Sequence, residues 1–140
     1  MYADWQEVVR AILHENDDNC CTVVATAIAC NVRFSKAKRV LAKISGRRKG
    51  RGLRFVRTHD AVFSALGYSL KQVWNCDAPT MITMERWANR PENKDKVFLV
   101  YVRGHVCTIR KGQVVDHSKG SRRNIRAVFE VLPITEEHKQ

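Results

Sequence analysis

The stretch "KVFLVYVRGHVCTIRKGQVVDHS", residues 96–118, decides the fold. Its apolar residues alternate with polar ones or run unbroken over a few positions, the habit of strands rather than helices. Lys111-Gly112 interrupts it and makes a tight turn between strands. The segment reads as strands over 97–103, 105–110 and 113–117, and "NIRAVFEVLPI" at 124–134 adds a closing strand.

Upstream the period is helical. "DWQEVVRAILHE" at 4–15 spaces Trp5, Val8, Val9, Ile12 and Leu13 as one helix face, with Asp4 as N-cap. "CCTVVATAIAC" at 20–30 is apolar almost all round, which belongs in the middle of a core. Its small residues Ala25, Ala27 and Ala29 let a sheet approach closely. An amphipathic helix is expected over 35–45, capped by Ser35, with Ala37, Val40, Leu41 and Ile44 inward. A short helix at 60–66 ends at Gly67, "YSLKQVW" at 68–74 is a strand, and a helix over 81–89 is capped by Thr80. Helices first and an antiparallel sheet after make an α+β layout. One domain is expected over 1–134, with a basic, flexible loop at 46–54 and a polar tail at 135–140.

The net charge of +11 is concentrated rather than spread. From Arg33 to His59 no Asp or Glu occurs, and Arg33, Lys36, Lys38, Arg39, Arg47, Arg48, Lys49, Arg51 and Arg54 fall in this stretch. Such a field favours nucleic acid or an acidic protein surface as partner. The "GRRKGRG" loop has no interleaved aromatic residue, which argues against single-strand stacking. No apolar run is long enough for a membrane span, and "MYADWQEVVR" lacks the order of a signal peptide. A cytoplasmic protein that does not engage membranes is expected. Five cysteines without regular spacing read as reduced thiols, with no zinc pattern, and no cofactor is called for.

The chemistry-bearing positions are Cys20 or Cys21, where polar "NDDN" gives way to the apolar helix. A thiol at a helix start meets the positive end of the dipole and free N–H groups, which favour thiolate and can hold an oxyanion. Such a nucleophile needs a base and a group that orients the base. With Lys111-Gly112 as turn, Arg110 pairs with Gln113 and Cys107 with Asp116. His105 and Asp116 are then diagonal neighbours on one sheet face. Cys30 and Cys107 read as core residues, and His14, His59, His117 and His138 carry no positional argument.

Cysteine at the start of a buried helix, with histidine and Asp on later antiparallel strands, resembles the papain-like cysteine peptidase superfamily. "DNCC" with Ala25 is similar to the "D-G-N-C…A" signature of ovarian-tumour-type deubiquitinases. "NCCTVVATAIA" and "GHVCTIRKGQVVD" are closer still to small papain-like proteins of phages and bacteria, although Cys20 stands where those carry Asp. The resemblance implies a papain-like fold, with N-terminal helices and a buried central helix packed on a C-terminal antiparallel sheet. It assigns Cys21 as nucleophile, His105 as general base and acid, and Asp116 as orienting residue, with Asn19 and the Cys21 N–H at the oxyanion. Ala25, four positions on, selects Cys21 over Cys20.

Two functions follow as expectations. One is a small cysteine hydrolase, a peptidase or isopeptidase, acting on a protein or peptide substrate, in a host cytoplasm if phage-encoded. The other is a catalytically weak or inactive papain-like binding module that attaches to nucleic acid or an acidic host protein through its basic face.

Overall fold

The computed structural model describes residues 21–46, 57–114 and 122–134. The expected helix over 4–15, the basic loop beyond Gly46 and the tail at 135–140 lie outside the described residues. So do Asn19, Cys20, Arg47, Arg48, Lys49, Arg51, Arg54 and Asp116.

The first described helix, α1 (Cys21–Ala29), is buried at every position after Cys21. Of its two buried threonines, Thr26 finds a partner within the helix: its Oγ1 donates to the Thr22 carbonyl at 2.7 Å. The helix ends in a paired terminal motif. Asn31 takes a left-handed φ of 55, Asn31 N–H donates to Ile28 O, and Val32 N–H reaches back to Ala27 O at 3.0 Å.

Helix α2 (Phe34–Ser45) starts one residue earlier than expected and Ser35 does not cap it. Arg33 precedes the helix and makes no side-chain capping bond. Phe34 is drawn into the first turn because its ring is buried with Ala37 and Leu41, worth roughly 1.5–3 kcal/mol against about 1 for a cap. Ile44, expected inward, is exposed. Helix α3 (His59–Ala65) buries His59, Val62 and Phe63. Helix α4 (Met81–Ala88) is capped as expected: Thr80 Oγ1 accepts from Thr83 N–H, and Thr83 Oγ1 accepts from Thr80 N–H at 2.9 Å.

The strands are β1 (Tyr68–Gln72), β2 (Val97–Val102), β3 (His105–Arg110), β4 (Gln113–Val114) and β5 (Ile125–Pro133). They form one antiparallel sheet in the order β1-β5-β2-β3-β4. Arg110 pairs with Gln113 across Lys111 and Gly112, both at positive φ (53 and 74), as a two-residue hairpin turn requires. The sheet is not wholly C-terminal, because β1 enters from between α3 and α4 to flank β5.

Both sheet faces are covered, which explains the continuous apolar run of β2. Leu99, Val106 and Val131 pack with α1, α2 and α3. Phe98, Val100, Val102, Cys107, Ile109 and Val128 pack with α4. Among the described residues no helix is long and apolar enough to cross a membrane. The molecule is thus an α+β fold in which α1 lies as a buried central helix on an antiparallel sheet.

Candidate active site

Two side-chain hydrogen bonds align α1 with β3. Thr108 Oγ1 donates to Ala25 O at 2.7 Å, and Arg110 donates to Ile28 O at 2.8 Å. Helix and strand therefore run in the same direction, and their first residues, Cys21 and His105, lie toward the same end of the pair. Counting back, Cys21 is about 6 Å of helix before Ala25 and His105 about 10 Å of strand before Thr108. Cys21 is half-buried and packs at the margin of the α1 core.

The pleat adds a second constraint. Thr108 and Arg110 reach α1 and Val106 packs with it, whereas Cys107 and Ile109 pack toward α4. His105, half-buried, pairs with Val102, which also packs toward α4. The register thus brings Cys21 and His105 to one end of the fold and assigns them to alternate faces of the sheet. Asp116 and Asn19 lie outside the described residues.

On the Cys21 face stands a pair absent from the sequence reading. Tyr101, on β2, is opposite Val106 and packs against the α1 core, as Cys21 does. Its hydroxyl lies 2.7 Å from Nδ1 of His59, the first residue of α3. His59 is 4% exposed, edge-on to Phe129 at 4.8 Å. Its Nε2 is 3.8 Å from Asp60 Oδ1, beyond hydrogen-bond length, and Asp60 is solvent-exposed.

Burial pushes the His59 pKa below the ordinary imidazole value, with Asp60 opposing more weakly. Burial chiefly raises the Tyr101 phenol, and the charges of Asp60 and of a Cys21 thiolate raise it further. At neutral pH the pair is an imidazole and a protonated phenol, and the phenol lies within electrostatic reach of Cys21. No spacing in "RTHDAVF" ties His59 to Cys21; only the packing of α3 against the sheet does.

The other described cysteines differ. Burial pushes the Cys30 thiol up to about 12. Cys107 is buried between β3 and α4, and half-buried Cys76, its pKa also raised by burial, sits 3.5 Å from the Met84 sulfur. Among the described residues no group of three metal-ligating side chains forms. Of the expected basic face, Arg33, Lys36 and Arg39 are exposed on or beside α2, and Lys38 is half-buried.

The chain matches no family model, no curated protein and no solved structure.

Proposed function

We propose that the chain is a small papain-like cysteine hydrolase that cleaves a peptide or isopeptide bond of a protein substrate by acyl transfer to Cys21. The observation that carries this reading is the alignment of α1 with β3, which brings half-buried Cys21 and His105 to one end of the fold. In this reading His105 takes the thiol proton and returns it to the leaving amine, and Asp116 holds the imidazole. His105 is the first residue of β3 and lies at the Cys21 end of the fold, so this reading requires its ring to turn around the strand end toward the α1 face. The resemblance assigns the stabilisation of the developing oxyanion to Asn19 and the Cys21 N–H.

The test is alkylation by iodoacetamide followed by peptide mapping. Cys21 is expected to react far faster than Cys30, Cys76 and Cys107, and His105→Ala should abolish that advantage at neutral pH. Equal rates for all thiols of the folded protein would sink the hydrolase reading. Loss of the advantage in a His59 variant but not in His105→Ala would move the base to His59.

A second reading is favoured by α2, whose twelve residues carry exposed Lys36, Arg39 and Lys43 and no acidic residue. As a binding module the chain would attach to nucleic acid or an acidic host protein through this face and through Arg47, Arg48, Lys49, Arg51 and Arg54, which follow α2 in the sequence. Duplex DNA titrated at two salt concentrations would give a log–log slope of about −0.9 per phosphate contact. Changing Lys36, Arg39 and Lys43 to Gln should flatten it, and an unchanged slope refutes this face.

A further inference from the structure

We infer that Tyr101 is a catalytic residue of the Cys21 site, donating its hydroxyl to the oxyanion formed on the substrate carbonyl, and that His59 is its positioning residue. The inference rests on the reading of Cys21 as nucleophile and adds a side-chain donor to the oxyanion site.

The geometry is that of a braced donor. Tyr101 projects from the central strand toward α1, half-buried, and packs against the same core as Cys21. One aromatic neighbour fixes the pair: Phe129 stands edge-on to Tyr101 at 5.8 Å and to His59 at 4.8 Å. The 2.7 Å bond between His59 Nδ1 and Tyr101 Oη fixes the hydroxyl oxygen. For the phenol O–H to face the substrate, His59 carries its proton on Nδ1 and donates it to Tyr101 Oη. Asp60 Oδ1, solvent-exposed, lies 3.8 Å from Nε2, beyond hydrogen-bond length. A phenol that stays protonated, in a half-dry site, is the state a donor needs.

The step balances without proton transfer at Tyr101. The Cys21 thiolate forms the S–C bond, and the carbonyl π pair moves onto oxygen. That oxygen accepts the Tyr101 O–H bond. Collapse returns the pair, breaks the C–N bond, and the leaving amine takes its proton from the protonated general base.

The experiment separates oxyanion formation from thiol reactivity. Iodoacetamide alkylates Cys21 by direct displacement, with no oxyanion, whereas acetyl-glycyl-glycinal adds reversibly to give a tetrahedral hemithioacetal. Tyr101→Phe keeps the ring and removes the hydroxyl. It should leave the alkylation rate of Cys21 within about twofold and weaken aldehyde affinity about 100-fold, the usual effect of losing one such donor. His59→Phe should weaken aldehyde affinity in the same direction, and His59→Gln, whose amide can donate to Tyr101, should restore much of it. Wild-type aldehyde affinity in Tyr101→Phe overturns the inference and leaves the Cys21 reading intact. An equal loss in both reactions, or a wild type that alkylates selectively and forms no hemithioacetal, also overturns it. Alkylation of Cys21 no faster than of Cys30 and Cys107 removes the underlying reading, and the inference with it.

Discussion

The Nδ1 of His59 lies 2.7 Å from the hydroxyl of Tyr101, joining the start of a short helix to the central strand across 42 positions of sequence. The imidazole is 4% exposed, so its charged form is disfavoured in the folded chain while the unfolded chain titrates normally.

The first prediction concerns acid stability. A histidine with a lowered folded pKa binds fewer protons folded than unfolded at mildly acidic pH. Stability is therefore fully present above the unfolded value of about 6.5 and is lost as pH falls through the window down to the folded value. Urea midpoints measured from pH 7.5 to 5 should drop for wild type and drop less for His59→Phe. A variant curve parallel to wild type would contradict the burial argument.

Two buried threonines make opposite predictions. Thr108 Oγ1 bonds to Ala25 O, and Thr108→Val should cost about 1–2 kcal/mol, lowering Tm by several degrees. Thr22 Oγ1 is buried with no hydrogen-bond partner among the described residues. Thr22→Val replaces an unsatisfied hydroxyl by a methyl and should raise stability, by up to about 1–3 kcal/mol. Thermal unfolding of both variants checks the pair; a Thr22→Val protein as damaged as Thr108→Val would be the failing result.

The hairpin glycines differ in what surrounds them. Gly104 (φ 71) and Gly112 (φ 74) both hold left-handed backbone, so alanine costs about 1–2 kcal/mol at either. A Cβ at Gly104 meets open space, but at Gly112 it collides with the Asn89 side chain, which bonds to Gly112 O and Glu85 O. Gly112→Ala should therefore be clearly the more destabilising, read as the difference in guanidinium midpoint.

Cys30 should be silent in the native protein. With its thiol pushed up to about 12 by burial, only about one molecule in a thousand is thiolate at pH 9. Iodoacetamide at that pH should leave Cys30 unmodified until guanidinium unfolds the chain. Modification at the same rate in native and unfolded protein would show the site open to solvent.

Much of the local structure was legible in the residues. The two-residue turn at Lys111-Gly112, the Thr80 cap and the all-round apolar α1 each depend on groups a few positions apart, whose turn geometry, hydrogen bonding or burial the residue types dictate. The start of α2 departs from its local signal for a related reason. Ser35 is a good capping residue in isolation, but burial of Phe34 outweighs a cap.

The candidate site divides in the same way. The sequence by itself determined a buried helix beginning near Cys20 or Cys21, a hairpin led by His105 and the α+β order, because periodicity and turn chemistry are local. Only the tertiary structure decided that β1 flanks β5, that α4 covers the second face, and that His59 reaches Tyr101 on the α1 face of the sheet. It also decided the face His105 takes, since that depends on which strand residues reach α1. Those relations join segments tens of residues apart. They are fixed by which apolar faces bury one another, and no spacing along the chain encodes that choice.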